Sequence, residues 1–497
     1  MKKYLLALSA VAVALTSCDL DINDDPNYPE SSVITADLVF PSVQNAIMAT
    51  SCDIMFNYAG FFAQYFEQMP EANQFNDIAN YSITESSQTI DRAYMQLYAR
   101  ALQDIEDIKG KVTGKADLLA ATAMRAFAFQ LMVDNTSEAP YSEALKGSAI
   151  PQPKWDEGKD VYLGIIGELT AAIDEYKAAP DVMTMTDIMF GKNASQWLGY
   201  SNALLLRLYF RMYDAGMTEY KEKIQALVSA NEFFTGDATI DIFADQDGNR
   251  SPFYASYYAL GTTNHCAAYP IIAYLVSTAD PRIEYCFSKA TADDSWTGQI
   301  PGAKALTKTW NGGDWKNKNV SWVNYMLNSG KGIVRPAYMY TQANLQFLIA
   351  EAQLRFNNDA SAAKAAYEAA IRADFAAKEI AGADAFIAAA GAWPSTTDDQ
   401  LKKIYMQKWV ALCYMDNMES WSEIRRTDVP AVSSMTGKEV FDNPTSYTAG
   451  ELIIPAQNGI EAGGLIKRMF YPQTARILNE NTPVAKTGDV PVWWDIH

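Results

Sequence analysis

A chain of 497 residues with 59 acidic and 40 basic side chains, a formal charge of −19, repels phosphate backbones, and nucleic-acid binding is disfavoured on that ground. The chain has two histidines, His265 and His497, so a Ser-His-Asp triad, a Cys-His pair or a zinc site rich in imidazole would have to be built from those two. The cysteines are Cys18, Cys52, Cys266, Cys286 and Cys413, without close paired spacing. The last four read as buried free thiols, because a core of this size needs no disulfide staple.

At the N-terminus, Lys2 and Lys3 precede an apolar run from Tyr4 to Leu15, too short to span a bilayer as a mature helix. The run ends in Leu15-Thr16-Ser17-Cys18, which resembles the bacterial lipobox. That resemblance implies a signal peptide over residues 1–17 and Cys18 as the lipidated first residue of the mature protein. More than one acyl chain makes such an anchor stable, at about 0.8 kcal/mol per buried methylene. Residues 18–36 include Asp19, Asp21, Asp24 and Asp25 and read as a flexible acidic tether ahead of a single domain over 37–497. Acidic residues directly after the lipidated cysteine also resemble a surface-export signal of some Gram-negative bacteria.

Residues 58–81 (YAGFFAQYFEQMPEANQFNDIANY) set Tyr65, Phe75 and Tyr81 among Asn73, Gln74, Asn76 and Asp77. Aromatic faces among planar amides suit a sugar ring and its hydroxyls, so Tyr65, Phe75, Tyr81 and Asn73 are candidate ligand contacts. Phe61, Phe62 and Phe66 read as helix core.

Helical periodicity then dominates. Helices are predicted over 86–107, 116–133, 161–176, 196–212, 341–356, 362–377, 401–416 and 420–425. They group into pairs at about 86–135, 160–213, 341–377 and 400–425. In LIAEAQLRFNNDASAAKAAYEAAIRA the alanines Ala350, Ala352, Ala363, Ala366 and Ala370 have the small-residue rhythm of a tetratricopeptide-type hairpin. Arg207 and Arg211, four residues apart, are expected to pair with carboxylates. Arg425 and Arg426 beside Asp428 read as a charge network at a helix end, and Gln407, Lys408, Trp409 and Trp421 as helix-packing residues.

The insert 214–340 and the segment 426–497 are rich in Gly, Asn, Asp, Thr, Pro and Trp and are expected to pack as loops on the helical frame. Asp245-Gln246-Asp247-Gly248-Asn249 has its glycine misplaced for a calcium loop and reads as a solvated turn. His265 reads as a structural or surface histidine, and no metal or cofactor is expected. Within the insert, Trp310, Trp315 and Trp322 lie among Asn311, Asp314, Asn317 and Asn319, with Gly312-Gly313 as a turn. Trp315, Trp310, Trp322, Asp314 and Asn311 complete the ligand-binding candidates.

Several landmarks, taken in order, resemble the SusD/RagB family. They are Ala139-Pro140-Tyr141-Ser142-Glu143-Ala144-Leu145, Pro153-Lys154-Trp155-Asp156, Gly191-Lys192-Asn193, Asp280-Pro281-Arg282, Gln407-Lys408-Trp409 and Arg468-Met469-Phe470-Tyr471-Pro472. The Gly-Asp pair that precedes Val-Pro-Tyr in the family is absent before Ala139-Pro140-Tyr141. The resemblance implies a mostly α fold, a right-handed tetratricopeptide-type helical superhelix decorated by long loops and small irregular or β elements. It further implies a lipid-anchored protein of the outer membrane, facing the exterior. Such a protein captures an oligosaccharide, or a peptide in some branches, and passes it to a SusC-like TonB-dependent transporter without cleaving it. Two other classes stand beside this reading: a glycoside hydrolase using two carboxylates, and a scaffold holding protein partners on its solenoid.

Overall fold

The computed structural model describes residues 35–257, 264–324, 330–461 and 463–496; Cys18, the segment before it and His497 lie outside them. The protein is mostly helical. Lys115–Thr136 packs on Gly158–Ala178 and Ala194–Asp214, and Ala194–Asp214 packs on Tyr220–Ala230 and Gln342–Arg355. Gln342–Arg355 in turn lies on Ala360–Ala377 and Thr397–Leu412, Thr397–Leu412 on Asn417–Thr427, and Asn417–Thr427 on Met55–Phe62.

Small residues and caps explain these helices. Ala350, Ala352, Ala363, Ala366 and Ala370 are all buried, so the hairpin 342–377 brings two backbones close while Tyr367 and Phe356 fill the space between. Its turn is capped at both starts: Thr341 Oγ1 accepts from Asn344 N, and Asp359 accepts from Ser361 N and Ala362 N. Thr396 and Asp416 cap the next two helices by accepting from Asp399 N and Glu419 N. These caps place the starts at Thr397 and Asn417, ahead of the apolar periodicity that locates them at 401 and 420.

Two helices depart from expectation. The helix expected over 86–107 begins at Asp91 and continues to Lys111, with a π stretch at Leu97–Leu102 that shifts its phase. Of the long helix over Ala36–Ala49, Thr50–Ile54 and Met55–Phe62, the sequence marks only Phe61 and Phe62, as helix core. In Met55–Phe62 every residue except Asn57 is buried, so it carries no polar stripe and no 3.6-residue signature.

The insert 214–340 is less loop-like than its composition suggests. It contains the helices Tyr220–Ala230, Tyr269–Ser277 and Lys304–Trp310. It also supplies three strands of an antiparallel four-stranded sheet, ordered Phe66–Gln68, His265–Ala267, Trp322–Val323, Phe287–Ser288.

Ion pairs buried between the helices hold the frame. Arg211 donates to Asp134 at 2.6 Å and to Glu419 at 2.5 Å, and Arg207 lies 3.1 Å from Glu419. Arg426 donates to Asp214 at 2.6 Å and to Glu351 and Glu423 at 2.7 Å; Lys408 donates to Glu423 at 2.8 Å. The Arg426 and Lys408 charges beside Glu423 hold its carboxyl well below the ordinary glutamate value despite burial. Removing one member strands the others in a medium of low dielectric. Arg426→Met is therefore expected to lower unfolding stability by about 3–5 kcal/mol, read as a shift in the urea midpoint, with part of the loss recovered in Arg426→Met/Glu351→Gln.

Glu67, on the first strand, has the opposite electrostatics. It is 2% exposed, and among the described residues its carboxyl accepts only from Gln68 N at 2.8 Å and Gly302 N at 3.2 Å. Burial pushes it up to about 8. Between the unfolded value of 4.5 and about 8 the folded state keeps a proton that the unfolded state has lost, so this group makes stability fall as pH rises. The expected contribution is a slope of about −1.4 kcal/mol per pH unit. Glu67→Gln is expected to remove it in urea titrations between pH 5 and 8.

Candidate functional site

The two aromatic and amide-rich segments that stand apart in sequence come together on the sheet. Phe66–Gln68 pairs with His265–Ala267, and that strand with Trp322–Val323. The turn after the first strand and the loop before the third therefore emerge as neighbours. Two latches join them. Glu71 N donates to Asn317 Oδ1 at 2.9 Å, and Asn317 N returns a bond to Glu71 Oε2 at 3.0 Å. Lys304 Nζ donates to Ala72 O and to Asn73 Oδ1, with Asn76 Oδ1 at 3.4 Å.

Trp315 stands on this junction. Its indole N–H donates to Gln299 Oε1 at 2.7 Å, and its ring rests, partly exposed, against a small cluster of Met69, Cys266 and Val320. Gln299 is itself buried and takes a further bond to Thr307 Oγ1 at 3.2 Å. The indole is thus fixed at one edge and one side, an arrangement that presents aromatic surface at small entropic cost. Asn73, Asn311 and Asp314 are exposed on the two segments that meet at this junction. The Asn311 amide donates to Thr307 O at 3.0 Å. Gly312 and Gly313 adopt positive φ of 65° and 86° with open space around them, which sets the turn between Trp310 and Trp315.

The other candidates separate. Trp322 lies on the third strand, donates to Asn317 O at 2.9 Å and supports the same cluster from its edge. Trp310 faces elsewhere: it packs on Phe441 at 4.5 Å with Lys438 over its ring, against a cluster of Ile300, Val440 and Ile453. Phe75 is half-buried and packs on His265 at 4.7 Å and Phe61 at 5.7 Å.

Tyr65 and Tyr81 are core residues rather than platforms. Tyr65 is fully buried, stacks on Trp409 at 5.8 Å, and its hydroxyl is spent on Trp409 O and, at 2.5 Å, on Ser420 Oγ. Tyr81 is buried edge-on to Phe62 at 5.6 Å. Their aromatic–amide surroundings in sequence are matched by an apolar environment in space.

His265 lies on the central strand among Phe61, Phe66 and Phe75. Its Nε2 is 2.6 Å from Asn57 Oδ1, and burial pushes it down to about 3, so the imidazole is neutral and structural. Phe66, expected in a helix, forms the first strand beside it. Three residues that shape the face carry no sequence signal of their own: Gln299, Lys304 and Glu71 are single polar residues whose partners lie 8 to 246 positions away.

Comparison with known proteins gives the same architecture. Residues 27–446 match the SusD-like family model described as "Starch-binding associating with outer membrane". Among solved structures, a chitin-binding protein superposes with a TM-score of 0.72 at 18% identity, covering 92% of this chain and 100% of that one. A SusD homologue from Bacteroides uniformis gives 0.71 at 18%, covering 92% and 99%. A chitin-binding SusD homologue from Flavobacterium johnsoniae gives 0.69 at 19%, covering 93% and 96%. No curated protein sequence matches. With the family model spanning most of its length, and a mostly helical fold shared with these homologues, this chain belongs to the SusD-like family.

Proposed function

We propose that this protein is a cell-surface lipoprotein that captures an oligosaccharide on the Trp315 face and passes it to a SusC-like TonB-dependent transporter of the outer membrane. The observation that carries the reading is the fixed, partly exposed indole of Trp315 at the junction of two segments that expose Asn73, Asn311 and Asp314. An aromatic face takes the C–H side of a sugar ring, and amides and a carboxylate take its hydroxyls. The chitin-binding descriptions of two structural relatives support the choice of a glycan. In this reading residues 1–17 are the signal, Cys18 carries the lipid, and 18–36 tether the single domain that follows.

The protein acts in this scheme as a binder and not as a hydrolase. Asp314 and Glu71 are both exposed, and Glu71 is tied to Asn317 N. Burial pushes the Glu67 carboxyl up to about 8, but it is sealed in the core. A single main platform with a few polar contacts gives micromolar to millimolar affinity once association costs are met, which suits a ligand that must be handed on.

Native gel retardation in a polysaccharide panel, followed by calorimetry with the matching oligosaccharide, tests the proposal. Trp315→Ala is expected to weaken binding about tenfold, whereas Trp310→Ala, removing a ring that packs on Phe441, leaves it unchanged. Binding that survives Trp315→Ala removes the site. Heat from peptides and none from glycans places the protein in the peptide-capturing branch.

A further inference from the structure

A second cleft, of about 310 Å³, lies beside the helix Asn417–Thr427 and shares no residue with the Trp315 face. Its volume reaches the lower end of the range of small-molecule sites, and its lining has the usual character: apolar walls with a few polar groups. Pro430, Val432, Ile454, Leu465 and Ile466 supply aliphatic surface, and Val432 is 47% exposed. Trp421 and Arg425 also line the cleft but are only 1% and 3% exposed, so they form its depth.

Arg425 is unlike the arginines of the helix network. Its Nε donates to Trp421 O at 3.2 Å, Nη1 to the backbone oxygens of Asp134 at 2.7 Å and Lys467 at 2.9 Å, and Nη2 to Ser422 Oγ at 3.0 Å. Every one of these acceptors is neutral. Among the described residues they engage four of the five guanidinium N–H groups and leave one on Nη2. The plane lies 3.7 Å from the Trp421 ring centre and 4.9 Å from that of Trp494. The nearby carboxylates are engaged by others: Asp134 by Arg211, Tyr162 and Trp494, and Asp495 by Lys467. Burial pushes the Arg425 guanidinium down to about 10, whereas ion-paired Arg207, Arg211, Arg282 and Arg426 are all pushed up. A buried cation bonded only to neutral groups is costly, and an arriving anion offsets that cost. Lys467 also lines the cleft, its ammonium paired with Asp495, and the one other charged residue there, Asp428, is exposed and screened by solvent.

We propose that this cleft is a second binding site, for a small amphiphilic carboxylate, whose anion meets Arg425 and whose hydrocarbon body lies along the aliphatic walls. The two halves of such a ligand contribute separately. An alcohol with the same tail keeps the apolar burial and loses the charge-assisted bond. An alkylammonium with the same tail meets the like charge of Arg425.

Calorimetry of the protein with decanoate below its micellar concentration tests this, with decanol and decyltrimethylammonium as controls. Saturable binding of one decanoate is expected, about tenfold weaker for decanol and absent for the ammonium. Val432→Trp fills the exposed end of the cleft and leaves the Arg425 bonds untouched. It is expected to weaken decanoate about tenfold while circular dichroism and polysaccharide retardation stay as in the wild type. No saturable decanoate binding, equal affinity for decanol, or indifference to Val432→Trp in a folded protein would each overturn the proposal. Retardation by polysaccharide reports on the Trp315 face independently, so failure at one site is distinguishable from failure at the other.

Discussion

The structure depends on a group of charges that water does not reach. Asp134 comes from Lys115–Thr136, Arg207, Arg211 and Asp214 from Ala194–Asp214, Glu351 from Gln342–Arg355, Lys408 from Thr397–Leu412, and Glu419, Glu423 and Arg426 from Asn417–Thr427. Five helices from widely separated parts of the chain thus share one electrostatic centre. Alanine-rich helix faces pack well in several registers, because methyl groups have little directional preference. Bidentate guanidinium–carboxylate bonds have one geometry, and a slip of one turn would leave unpaired charge in the core. The compensation is uneven: Asp416, 3.7 Å from Arg207, is pushed up to about 6 by burial, whereas Glu423, bonded by both Arg426 and Lys408, is pushed well down.

The same centre positions the Trp315 face. Asn417–Thr427 packs on Met55–Phe62, and the Asn417 amide donates to Phe56 O at 3.1 Å. Four residues beyond that helix the chain enters the strand Phe66–Gln68, from which the Glu71–Asn76 turn reaches the Trp315 loop. Gly60 permits the close approach: a Cβ there would stand 2.2 Å from the Phe66 ring and 2.9 Å from the Asn417 amide. The face is therefore a rigid outgrowth of the helical frame, latched by Lys304 and Glu71.

Much of this was legible in the residues, and the exceptions have physical causes. Amphipathic helices with polar outer faces announce themselves; Met55–Phe62, apolar on nearly every side, does not. The pairing of Arg207 and Arg211 with carboxylates follows from their spacing. The adjacent Arg425 and Arg426 read as one helix-end network, yet only Arg426 meets carboxylates, and Asp428 is exposed in a left-handed C-cap. Family landmarks prove to be fold determinants. Arg282 bonds Asp280, Asp374 and Gln407, Lys408 bonds Glu423, and Trp409 donates to Ala63 O at 3.0 Å. At Tyr141-Ser142 both backbone N–H groups donate to Asp156, a turn built without the missing Gly-Asp pair. The site was legible as two segments, not as a face. Composition marks Tyr65, Tyr81, Trp310 and Trp315 alike, and only the partners distant in sequence, Trp409, Phe62, Phe441 and Gln299, separate core from surface.

Amide hydrogen exchange with and without a retarding polysaccharide's oligosaccharide tests the central claim most directly, because it reports on the whole chain without a mutation. Bound glycan is expected to slow exchange in residues 69–76 and 304–319 and to leave the cleft segments 428–433 and 464–467 unchanged. Protection confined to those cleft segments, or spread along the helical frame with none at 69–76 and 304–319, would contradict a glycan site at Trp315.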